Sequence, residues 1–116
     1  MISAKDLAQK STEFSSLDEE FYWRQSSHLA YYAVYHQLVA FSLLQHIDLK
    51  QGNGGVHQRA ITAIRQHSEQ GEELAFYLQK MKKRRVIADY YLESHFSKEE
   101  AILQQALMQQ CLTYLK

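Results

Sequence analysis

Five cations fall within six residues at Lys80, Lys82, Lys83, Arg84 and Arg85, in a chain whose formal net charge is zero. On one helix they would form a local positive ridge, able to neutralise phosphates and release counterions. The plainer alternative is a solvated face balanced by Glu72, Glu73 and Asp89. Arg85 and Asp89 are four apart, so they share a helix face and can pair, although arginine before aspartate is the less favourable order. Tyr90 and Tyr91 follow, with rings able to stack on a base or to fill core. A second candidate is Gly54-Gly55-Val56-His57-Gln58-Arg59, where a glycine loop meets a helix start. The first amides of a helix lack partners and gather anions, and His57 and Arg59 would add a titratable donor and a cation. A glycine turn followed by two exposed polar residues is the alternative there.

Metal chemistry has little support. The six histidines, at 28, 36, 46, 57, 67 and 95, include no pair three or four apart, so no single helix offers a two-histidine site. No phosphate-binding glycine loop of the nucleotidase type and no serine or cysteine nucleophile pattern is present. We expect no metal and no cofactor.

The elements that must position these residues are helical. At 116 residues, with 46% hydrophobic and 22% charged residues, the chain fits one domain over 1–116 with one core. It has no proline, so helices can run unbroken. A lone Cys111 excludes an internal disulfide and fits a reducing compartment. The start of the chain has no signal pattern, and the apolar stretch Leu38 to Leu44 is too short to span a bilayer. These features point to a cytoplasmic protein. Apolar spacing predicts a first helix over 2–10 and, after a capping-box pattern at Ser16 and Glu19, a long second helix from Leu17 to Asp48. A loop from Asp48 to Gly55 precedes a third helix with Val56, Ala60, Ile61 and Ile64 on one face, ended by Gly71. A fourth runs from Glu72 to about Leu92, with Leu74, Tyr77, Leu78, Met81 and Ala88 inward. Ser97 and Glu100 open a last helix through Ile102, Leu103, Ala106, Leu107 and Leu115. The fold class is all-α, an antiparallel bundle of four to five helices.

Four segments, in order, resemble the HEPN family of prokaryotic helical modules. Ala30-Tyr31-Tyr32-Ala33-Val34-Tyr35-His36 is similar to its aromatic "AYYAxFH" helix. The glycine loop into Val56-His57-Gln58-Arg59-Ala60-Ile61 resembles its "GxxHxxVI" element. Arg85-Val86-Ile87-Ala88-Asp89-Tyr90 matches the "RxxADY" signature of one branch, and Ser97-Lys98-Glu99-Glu100-Ala101 resembles the start of its last helix. The likeness runs from about Arg24 to the C-terminus.

The resemblance implies a bundle that dimerises through its central helices and works in toxin–antitoxin or other defence systems, either as a ribonuclease or as the partner of a nucleotidyltransferase-type protein. Its ribonucleases place a histidine four to six residues beyond an arginine and cut RNA without metal. Here the corresponding positions hold Asp89, Tyr90, Tyr91 or Leu92, and His95 lies too far on. An ionised aspartate repels phosphate and is a poor substitute. The expectation is therefore a homodimeric, membrane-free module binding RNA or a nucleotide through Lys80, Lys82, Lys83, Arg84, Arg85, His57 and Arg59. The alternatives are a metal-independent endoribonuclease using Arg85 with His57 or Tyr90, and an antitoxin-like or scaffold protein whose aromatic helix, Tyr22 to Phe41, binds another protein.

Overall fold

A computed structural model describes residues Met1–Lys116 as five helices without strands: α1 Ala4–Ser15, α2 Glu20–Gln45, α3 Val56–His67, α4 Glu69–Tyr90 and α5 Lys98–Thr113. The all-α bundle expected from the sequence is what forms. No helix is long and apolar enough to cross a membrane.

Several boundaries differ from the sequence expectation, and the larger differences have local reasons. The helix α1 begins with a capping box of its own: the Ser3 side chain accepts from the Asp6 amide, and Asp6 Oδ2 accepts from the Ser3 amide at 2.8 Å. It runs on to Ser15, past residue 10. Ser16 does not open α2. Its hydroxyl donates backward to the Glu13 carbonyl at 2.8 Å, which makes it the C-cap of α1. Glu19 occupies the α2 N-cap with no side-chain cap, and the turn is secured instead by Trp23 Nε1 donating to the Leu17 carbonyl at 2.6 Å. At its far end α2 stops at Gln45, because His46 adopts the left-handed conformation with φ 57°.

Gly71 breaks nothing. The break lies at Ser68, whose side chain accepts from the Gly71 amide at 2.9 Å and caps α4. Gly71 sits inside the first turn of α4, where a Cβ would collide with the Ile64 carbonyl oxygen of α3. The glycine thus permits close helix packing rather than ending a helix.

The core joins Val34 and Leu38 of α2, Ile61 and Ile64 of α3, Leu74, Leu78 and Met81 of α4, and Met108 and Cys111 of α5. Tyr77 is only half-buried, and Val56 is exposed at the start of α3. The inner stripe of α5 is Ala101, Gln104, Met108 and Cys111. Of the apolar residues through which the sequence runs this helix, Ile102, Leu103 and Ala106 face solvent, Leu107 is half-buried, and Leu115, just past the helix end, is buried. The stripe was hidden because it contains a glutamine. Gln104 is fully buried, and its Nε2 donates to the carbonyls of Ser27 at 3.3 Å and Met81 at 3.1 Å. A buried amide of this kind is tolerated only with such partners.

The backbone of α2 lies close to α1, α4 and α5, and that of α3 lies close to α4. Consequently α2 and α3 flank α4, and they meet each other through side chains, Tyr31 and Tyr35 of α2 against His57 of α3. The far end of α4 is fixed by Arg24 of α2. Its Nη1 donates to the carbonyls of Ala88 at 2.9 Å and Ile87 at 3.3 Å, and its Nη2 donates to those of Tyr91 at 3.1 Å and Ser94. Glu20 accepts from Nε at 3.0 Å, and the guanidinium lies 5.4 Å from the Phe96 ring centre. A helix C-terminus leaves carbonyls without amides, and here one side chain meets several of them. Arg24→Ala is expected to lower stability by about 3 kcal/mol, since it strands these acceptors and an ionised glutamate. Urea denaturation followed by circular dichroism checks this, and an unchanged midpoint would show that the cap contributes nothing.

Candidate functional site

The candidate residues lie where α4, the aromatic stretch of α2 and the first turn of α3 come together. Arg85 enters this junction from α4 and is only 8% exposed. Its Nη1 donates to Asp89 Oδ2 at 3.2 Å, the pairing that the four-residue spacing predicts. Asp89 is shared, because His28 Nδ1 of α2 approaches the same oxygen at 2.8 Å. The guanidinium carbon lies 5.5 Å from the ring centres of both Tyr31 and Tyr32 and 6.0 Å from that of Tyr90. Arg85 Nε is buried without an acceptor. Burial alone would depress the Arg85 pKa. The hydrogen bond to Asp89, with the nearby Tyr32 and Tyr90 oxygens, outweighs it and raises the value, so the guanidinium stays charged.

His57, in the first turn of α3, faces Arg85 across Tyr31. Its Nδ1 lies 2.8 Å from the Tyr31 hydroxyl, and its ring centre is 4.6 Å from that of Tyr35 and 5.7 Å from that of Tyr32. Tyr31 is completely buried and touches both His57 and Arg85. Burial pushes its hydroxyl well above the usual phenol range, so it remains protonated. The His57 pKa is lowered, first by burial and then by the charges of Arg85, Lys82 and His36. The imidazole is therefore neutral at neutral pH. Lys82, from the same face of α4, holds the rim by donating to Gln58 Oε1 at 3.3 Å.

The remaining cations point elsewhere. At roughly 100° per residue, consecutive positions fan around a helix, so the five do not form a single ridge. Lys80 is exposed and lies 4.5 Å from the Phe76 ring centre, beside Lys83 and Arg65 on another face of α4. Arg84 is half-buried and forms no ion pair. Arg59 turns back to the loop, where its Nη1 donates to the Lys50 carbonyl at 3.0 Å. Tyr90 is 70% exposed at the end of α4, with its ring 6.0 Å from the Arg85 guanidinium carbon. Of the sequence candidates, the fold brings together Arg85, Asp89, His57, Lys82 and Tyr90.

Sequence reasoning missed Tyr31, Tyr32, Tyr35 and His28 as site residues and treated the aromatic helix as core or as an interface. The available signal was spacing. His28 and Tyr32, like Tyr31 and Tyr35, are four apart and stack along one face of α2. No three His, Cys, Asp or Glu side chains converge in a way that could hold a metal ion. Cys111 is buried among the core residues, and burial pushes its thiol up to about 12, leaving it inert.

Comparison of the chain with family models, with curated proteins and with solved structures finds no match.

One consequence concerns pH. A histidine whose folded pKa lies below its unfolded value binds its proton more readily when unfolded. Its contribution to stability is complete above the ordinary value of 6.5 and declines as pH falls below it toward the folded value. The urea midpoint of the native chain is expected to drop across that window, and His57→Gln to flatten the drop. An equal slope in both proteins would show that His57 is not the group responsible.

Proposed function

We propose that the chain is a HEPN-like module that binds RNA or a nucleotide through phosphate at the α2–α3–α4 junction. The carrying observation is that Arg85 and His57, from two different helices, both meet Tyr31, with Lys82 beside them on Gln58 and further rings around the pair. Guanidinium and ammonium groups supply charge for an oxyanion. Tyr32, Tyr35, His36 and Tyr90 supply half-buried or exposed rings on which an adjacent base can stack. A place in a toxin–antitoxin or defence system, a second copy of the chain and a nucleotidyltransferase-type partner belong to the same reading through the four motifs. The exposed run Tyr90-Tyr91-Leu92 beside the junction is the surface it offers a partner.

Fluorescence anisotropy with a labelled single-stranded RNA and competing ATP tests this. Arg85→Gln is expected to weaken binding about tenfold or more, about 1.4 kcal/mol. Lys82→Gln is expected to lower the slope of log affinity against log salt by about one. Absence of binding to either ligand at moderate salt, from protein whose circular dichroism is native, sinks the proposal.

A metal-independent endoribonuclease is the second reading. It draws support from His57, which is kept neutral beside a fixed guanidinium, as a proton acceptor for a 2′-hydroxyl must be. Tyr90 is the other group at hand. The expected result under this reading is slow RNA cleavage that persists in chelator and is lost in His57→Gln. Intact RNA after prolonged incubation with concentrated protein removes it.

A further inference from the structure

We propose that Tyr31 is a positioning residue that fixes the tautomer of His57. Its hydroxyl donates to Nδ1, the ring proton therefore sits on Nε2, and His57 offers the junction a hydrogen-bond donor and no acceptor. The Tyr31 side chain has no exposed surface, and Nδ1 of His57, at 2.8 Å, is the one hydrogen-bond partner of its oxygen. A tyrosine hydroxyl carries one proton to give, whereas neutral imidazole carries one proton on either nitrogen. Were Nδ1 protonated, it would donate to the tyrosine oxygen, and the hydroxyl proton would be buried with no acceptor. With Nδ1 bare, both groups are satisfied by one bond. A buried donor left unpaired is the more expensive arrangement, so the second is the one adopted.

The groups around the pair act in the same direction. Raised by burial, the Tyr31 hydroxyl keeps its proton, and the neighbouring charges of Arg85 and Lys82 oppose the imidazolium form, which would also protonate Nδ1. On the other side of the ring, Nε2 forms no hydrogen bond within the protein, and the residue is half-buried rather than enclosed. Asp89, the carboxylate at the junction, is already occupied by Arg85 and His28. Gln58 Oε1 accepts from Lys82. Free donors therefore outnumber free acceptors where the three residues meet.

This inference rests on the junction being an anion site, and it narrows the ligand. A surface of donors suits an oxygen that only accepts, such as a non-bridging phosphate oxygen, and disfavours the amino edge of a base. The same tautomer cannot take a proton at Nε2, so it favours binding over the ribonuclease reading. His57 would hold phosphate as a neutral donor beside two cations.

The test uses protein labelled with nitrogen-15 at histidine, free of ligand, above the range in which imidazoles titrate. Long-range proton–nitrogen correlation spectra distinguish bare from protonated ring nitrogens. The expected spectrum shows His57 with Nε2 protonated and Nδ1 bare. Predominance of the Nδ1 proton, or an even mixture, overturns the proposal, and this readout requires no variant. Tyr31→Phe keeps the ring and removes the hydroxyl. In folded variant protein His57 is expected to move toward a mixture of tautomers, and an unchanged His57 spectrum would show that Tyr31 does not set it. The predicted tautomer together with no RNA or nucleotide binding removes the proposed function while leaving the role of Tyr31 intact, so the two failures are distinct.

Discussion

The seam between α2 and α4 is held by two guanidinium groups that point in opposite directions. Arg24 leaves α2 to meet the last carbonyls of α4, and Arg85 leaves α4 to lie against the tyrosines of α2. Each is almost wholly removed from water, with 7% and 8% exposure. Taking an ion out of water is costly unless its hydrogen bonds are replaced and its charge is opposed. Arg24 meets that condition with carbonyls and Glu20. Arg85 meets it incompletely, with one bond to Asp89 and an unpaired Nε. The first behaves as a structural clamp, and the second retains unused hydrogen-bonding capacity. That difference is why the proposed function is placed at Arg85 and not at Arg24.

The sequence was most legible where structure is set locally. The Ser97–Glu100 capping box forms as the spacing suggests, with Ser97 donating its amide to Glu100 Oε2 at 2.7 Å. The glycine loop ends where α3 begins. The Arg85–Asp89 pair is likewise a one-turn interaction. Local cues misled at Ser16, which could cap in either direction and used its hydroxyl on the helix behind it. They misled again at Gly71, where the deciding contact is a carbonyl on a different helix. In α5 the apolar positions Ile102, Leu103 and Ala106 suggested a stripe, yet buried Gln104 marks the true inner face, because its amide is needed by two carbonyls from α2 and α4.

The site was legible as a list of residues but not as a place. His57 and Arg85 lie on separate helices that pack directly, and what unites them chemically is Tyr31, from a third helix. Nothing in the spacing of 31, 57 and 85 encodes that meeting. Arg24 was invisible for a related reason. Its acceptors are backbone carbonyls 63 to 70 residues away, and backbone atoms leave no residue-type signature.

Asp89 also alters how the junction attracts a ligand. It offsets the charge of Arg85, and His57 is neutral, so Lys82 is the cation at the junction least opposed by a carboxylate. The whole chain is neutral as well. At physiological ionic strength the field of one such charge fades over about 8 Å, too short to steer nucleic acid from a distance. Under the proposed reading, capture would depend on contact, with donors meeting one phosphate and rings stacking on its neighbour. A site of that kind gains little from additional positive charge on its rim and much from the fixed orientation of each donor. On that argument the buried tyrosine behind His57 matters to the site as much as the cations that first drew attention to it.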